Sequence, residues 1–119
     1  MTTQLTDDRD TALAIGYVAT ECGERISYAD YRATLEDWRV RALERDGRPI
    51  GAVYSRGDEI HVSVLPDHRR RWATKGVLKQ LFAGARVTTT VVPGHEYMYD
   101  ILKRLGFVQM PDGQFVKGH

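Results

Sequence analysis

Two groups of residues near the middle of this 119-residue chain have the types and spacing for chemistry. In the run from Glu59 to Val64, Ile60, Val62 and Val64 alternate with Glu59, His61 and Ser63. A strand with that period has one apolar face and one more polar face. Glu59 and His61 are then titratable groups on the same face, and imidazole suits proton transfer near neutral pH. The same pattern also fits a plain, partly exposed strand histidine. Pro66 ends the strand because it has no N–H for a ladder. The second group follows: Asp67-His68-Arg69-Arg70-Arg71, then Trp72, Ala73, Gly76, Val77, Leu78, Leu81 and Phe82 at helical spacing. A helix is expected to begin between Arg70 and Ala73, with the loop's N–H groups free. Cations at a helix start oppose its dipole unless an anion binds there, so Arg69, Arg70 and Arg71 point to a phosphate-like ligand.

The elements that must hold these groups can be read on either side. Thr6 to Cys22 is a helix, capped by Thr6 or Asp7, with Leu13, Ile15, Tyr17 and Val18 on its apolar stripe. A second helix starts at Ser27 and runs through Tyr28, Tyr31, Leu35 and Trp38, aromatics at a spacing that usually marks core. Val40 to Arg45, Asp46-Gly47 and Pro49 to Tyr54 form a hairpin. Arg56-Gly57-Asp58 turns into the strand at Glu59, which makes a three-stranded meander. Arg86 to Val92 is β-branched and reads as a strand. Pro93-Gly94 breaks it, and His95 to Leu105 is a helix stopped by Gly106. Phe107 to Met110 and Gln114 to Lys117 close the chain as a hairpin. Thr2 to Leu5 is the one candidate for a first strand.

Val64-Leu65-Pro66-Asp67-His68-Arg69 resembles the loop of the GNAT superfamily of acetyl-CoA-dependent N-acetyltransferases, Val-x-Pro-Glu-x-Arg-Gly-x-Gly-x-Gly/Ala. Arg70, Trp72 and Thr74 stand where the family has small residues. The Arg-Arg-Trp-Ala-Thr form looks like that of small GNAT-like proteins of bacteriophages. The element order resembles the family over nearly the whole chain. This implies an α/β (α+β) domain over 1–119 with a mixed, mostly antiparallel central sheet and helices on both faces.

The resemblance also implies a mechanism. The fourth and fifth strands splay, the pantetheine arm of acetyl-CoA lies between them, and an amine attacks the acetyl carbonyl. It places cofactor contacts at Val64, Leu65, Arg69, Arg70, Arg71, Trp72, Ala73, Thr74 and His95. Glu59 and His61 are the candidate bases, and Tyr99 is a candidate acid. The family's usual tyrosine, counted back from Gly106-Phe107, is Leu102 here. Two functions follow: acetyl transfer to an amine of a small molecule or protein, or a GNAT-like domain without catalysis that binds a protein partner.

The arginine run keeps three readings: coenzyme A phosphates, nucleic-acid phosphates with Trp72 for stacking, or a solvated loop. With 17 Lys+Arg against 16 Asp+Glu, the charge balance weighs against nucleic acid, which needs a wider basic footprint. The composition, 42% hydrophobic and 28% charged, is that of a globular domain. Cys22 is the single cysteine, which fits a reducing compartment. With no long apolar stretch and a polar start, a cytoplasmic protein with no membrane contact is expected. The histidines do not form a metal-ligand spacing with Cys22. Six tyrosines and two tryptophans leave monomer and homodimer equally open.

Overall fold

The computed structural model describes residues 3–20, 25–69, 72, 74–81, 86–91 and 97–118. Cys22, Arg70, Arg71, Ala73 and His95 lie outside the described residues. The strands are β1 (Thr3–Thr6), β2 (Arg39–Arg45), β3 (Arg48–Arg56), β4 (Glu59–Val64), β5 (Arg86–Thr89), β6 (Val108–Gln109) and β7 (Phe115–Gly118). The helices are α1 (Arg9–Ala19), α2 (Tyr28–Thr34), α3 (Lys75–Leu81) and α4 (Tyr97–Arg104). The seven strands form one sheet in the order β1-β2-β3-β4-β5-β7-β6. All neighbours are antiparallel except β4 and β5.

The β2–β3 hairpin forms where Asp46-Gly47 directs it, with φ of 54° and 78° at the two residues, the left-handed pair a tight hairpin needs. Several boundaries differ from the sequence expectation. Thr6 belongs to β1, and α1 is capped by Asp8, whose carboxylate accepts from the Thr11 hydroxyl at 2.7 Å and its N–H at 3.2 Å. Those bonds, the hydroxyl's first, hold the Asp8 carboxyl below its ordinary pKa. Helix α2 stops at Thr34 rather than reaching Trp38. A 3₁₀ turn occupies Pro66–His68, and α3 starts only at Lys75, because Thr74 caps it through bonds to the N–H groups of Val77 and Leu78.

Two apolar clusters flank the sheet. One holds Ile60, Val64, Val87 and Phe115 with α3 and α4 residues Val77, Leu81 and Leu102. The other holds Val40, Ala42, Ala52 and Tyr54 with Ala12, Leu13 and Tyr31 of α1 and α2. On this second side the Tyr31 and Tyr54 hydroxyls are hydrogen-bonded to each other and buried. Gly16 of α1 makes room for them: a Cβ there would overlap both oxygens. Alanine in place of a mid-helix glycine ordinarily gains up to about 1 kcal/mol. Here Gly16→Ala is expected to destabilise by roughly 1–3 kcal/mol through overpacking. Urea unfolding checks this, and Tyr54→Phe in the same chain should restore part of the loss.

Candidate functional site

Among the described residues, strand β5 is tied to the sheet's first half at one place. The Thr88 N–H donates to Asp58 O at 2.7 Å, and Glu59 opposite Thr88 is the register pair. Arg86 Nε sits 3.4 Å from Asp58 at the same place. Past the Glu59–Thr88 pair no further β4–β5 register pair occurs among the described residues. Main-chain groups alternate sides along a strand. Leu65 N–H reaches Ile50 O at 2.8 Å, so the odd-numbered groups of β4 face β3. The groups of Ile60, Val62 and Val64 therefore face β5, where the Glu59–Thr88 bridge engages the Ile60 N–H and no further register pair follows among the described residues. Val64 O accepts from Arg69 Nε at 3.2 Å.

The loop after β4 is more self-contained than the sequence implies. The N–H groups of His68, Arg69, Trp72 and Thr74 bond to Leu65 O, Pro66 O, His68 O and Trp72 O, so these are not free for an anion. Trp72 is 1% exposed and belongs to the α3/α4-side core, so its ring has no face to offer a nucleic-acid base or a ligand. Of the remaining expected cofactor contacts, Val64 and Leu65 end the open strand, Arg69 is half-buried beside it, and Thr74 is the helix cap.

Glu59 and His61 are brought together: His61 Nε2 lies 2.6 Å from Glu59 Oε2, with both side chains about a third exposed (31% and 34%). They face the α1/α2 side, His61 standing opposite Tyr54 in the register. Tyr99 is not with them. Its ring packs against Phe115 at 5.6 Å, in the cluster on the other side of the sheet. Leu102 is also core there, 1% exposed.

Beside His61 is a cavity of about 260 Å³. Thr20 at the end of α1, Tyr31 and Thr34 of α2, Leu35 and Trp38 of the following turn, and Tyr54 complete its wall. The turn is held from below by one side chain: Arg9 donates to Trp38 O at 2.6 Å and to Leu35 O at 2.8 Å. Past Thr34 the chain tightens into i→i+3 bonds, Glu36 N–H to Ala33 O and Trp38 N–H to Leu35 O, and the clamp holds the turn so formed. The ring of Trp38 lies 5.7 Å from that of His61, and Arg56 stacks on Trp38 at 4.4 Å. The sequence marked Tyr31 and Trp38 as core aromatics and passed over Arg9 and Tyr54 as site-forming residues. No local pattern connects positions so far apart in the chain.

No protein-family model matches the sequence, and no curated protein matches it. Solved structures do. A GCN5-related N-acetyltransferase from Rhodopseudomonas palustris aligns over 100% of this chain and 97% of its own, with a TM-score of 0.65 at 16% identity. The fold is that of the GNAT N-acetyltransferases. The ribosomal-protein-S18-alanine N-acetyltransferase of Escherichia coli shares this GNAT fold over 97% of this chain and 91% of its own, at TM-score 0.65 and 16% identity. So does yncA of Salmonella typhimurium, solved with its cofactor acetyl-CoA, over 99% and 94%, at TM-score 0.65 and 16% identity. None of these three is a phage protein, and the likeness does not extend to the phage-type variant. Within the GNAT fold, the β4–β5 junction, the Glu59–His61 pair and the cavity lie on neighbouring elements. Among the described residues, no helix is long and apolar enough to cross a membrane.

Replacing Arg9 by alanine removes both bonds to the turn. Hydrogen bonds to charged groups contribute about 1.5–3 kcal/mol, so a loss of roughly that total is expected in urea unfolding. Trp38 emission should shift to the red as the turn loosens.

Proposed function

We propose that the protein transfers an acetyl group from acetyl-CoA to an amine. The observation that carries this reading is the open edge of β4. Beyond the Glu59–Thr88 bridge, the main-chain groups of Val62 and the Val64 N–H point toward the β5 side with no register pair among the described residues. An extended, amide-bearing chain satisfies such an edge as an added strand would, and the pantetheine arm of coenzyme A is a chain of that kind. Arg69, fixed by Val64 O at the end of the edge, supplies a guanidinium for phosphate. Two solved neighbours are described with this ligand: yncA with acetyl-CoA, and the paia N-acetyltransferase of Thermoplasma acidophilum, at TM-score 0.57 and 10% identity, with coenzyme A.

Acetyl-CoA supplies an acetyl carbonyl activated by a thiol leaving group. His61 takes the proton that the amine nitrogen loses as the new C–N bond forms and the C–S bond breaks. Glu59, 2.6 Å from His61 Nε2, holds the ring and stabilises the imidazolium that results. An alkyl thiol ionises near pH 8.5, so the sulfur can leave as thiolate and take its proton from water. This reading needs no acid at Leu102 or Tyr99. A second reading, a binding domain without catalysis, is favoured by the loop amides that bond within the loop.

Calorimetry with coenzyme A and acetyl-CoA separates the two. Transfer requires micromolar binding, about −8 kcal/mol, weakened at least tenfold by Arg69→Ala. It also requires amine-dependent thiol release that His61→Ala lowers by roughly 10²–10⁴ while binding is kept. Absence of binding leaves the non-catalytic reading.

A further inference from the structure

We infer that the cavity beside His61 receives a small primary amine carried on a flat, apolar body of about one aromatic ring. In this it differs from a site for a polycation or a lysine side chain. The inference rests on the acetyl-transfer reading for calling that amine the acceptor; the binding it predicts does not.

Among the described residues, three rings, Tyr31, Trp38 and Tyr54, line the cavity with Leu35, Thr20 and Thr34, and no carboxylate does. Glu59 is present only behind His61. A ligand with a second ammonium would find no counter-charge among these described residues and would lose hydration on entry. Nor is there a vacant cationic seat on the tryptophan, because Arg56 lies 4.4 Å over that ring. Arg9 adds a further positive charge beneath the turn that carries Leu35 and Trp38. The volume, about 260 Å³, is at the small end for ligand sites, which suits one ring and a short arm. An apolar wall also disfavours the ammonium form of the bound ligand. The neutral amine is the nucleophile acetyl transfer requires, and His61 at the inner wall is there to take its proton.

The chain's two tryptophans make this measurable without any cofactor. Trp38 lines the cavity, while Trp72 is 1% exposed in the core on the other side of the sheet and gives a constant background. Titrating the protein with 2-phenylethylamine should change Trp38 emission saturably, at least tenfold tighter than spermidine or a lysine-containing peptide. Trp38→Phe should abolish the signal. Thr34→Phe fills the cavity from an exposed wall position and should weaken 2-phenylethylamine at least tenfold while coenzyme A binding stays as in the wild type. Equal or tighter binding of spermidine or the peptide to the wild-type protein overturns the inference, as does a titration with no saturable change. If 2-phenylethylamine binds and coenzyme A does not, the cavity assignment stands and acetyl transfer falls. If coenzyme A binds and 2-phenylethylamine does not, the cavity assignment falls alone.

Discussion

The arrangement depends on a parallel strand pair that is joined, among the described residues, at a single register pair. Thr88 N–H on Asp58 O and the Glu59–Thr88 register fix where β5 meets β4. Beyond that point the β5-facing edge of β4 has no further register pair among the described residues. Unpaired main-chain donors and acceptors inside a sheet are costly unless water or a ligand meets them. The sheet keeps them because the strands are held independently: β4 by its ladder to β3, and β5 by its ladder to β7. The apolar core on the α3/α4 side ties these halves together, holding Ile60 and Val64 with Val87 and Phe115.

The same division sets up the second feature of the site. Alternation along β4 sends Ile60 and Val64 to the α3/α4 side and leaves Glu59 and His61 facing α1 and α2. On that face the tyrosine pair, the space left by Gly16 and the Arg9 clamp fix α1, α2 and the turn after it. Tyr17 adds edge-on contacts to Tyr28 and Tyr31, both at 5.2 Å between centroids. The aromatics that hold the helices to the sheet are also those that wall the cavity. Packing and ligand chemistry thus share residues, and a change that empties the cavity also loosens the helices.

Much of the fold was legible in the sequence because its signals are local. Period-2 alternation placed β4, Asp46-Gly47 placed the first hairpin, and β-branched residues from Arg86 placed β5. Glu59 and His61 were found by the same alternation, and the structure adds their contact. The loop was harder. Trp72 read as the first apolar position of the helix and as a ring available to a ligand, yet the core behind the loop takes that ring, and the start of α3 moves on to Thr74, which can cap it. Tyr99 could be placed on a helix but not on a side of the sheet. Its pairing with Phe115 depends on where β7 joins β5. The cavity was illegible for a related reason: Arg9, Tyr31, Trp38, Tyr54 and His61 come from five elements and meet only in the folded chain.

The most direct measurement of the central claim is a residue-resolved one: amide chemical shifts of the ¹⁵N-labelled protein during titration with coenzyme A. If the open edge of β4 is where the ligand's amide arm binds, the N–H signals of Val62 and Val64 move saturably, while those of Ala52 and Val53 in the closed β3 ladder move little. Saturable binding that leaves Val62 and Val64 unmoved would contradict the account and put the ligand elsewhere on the protein.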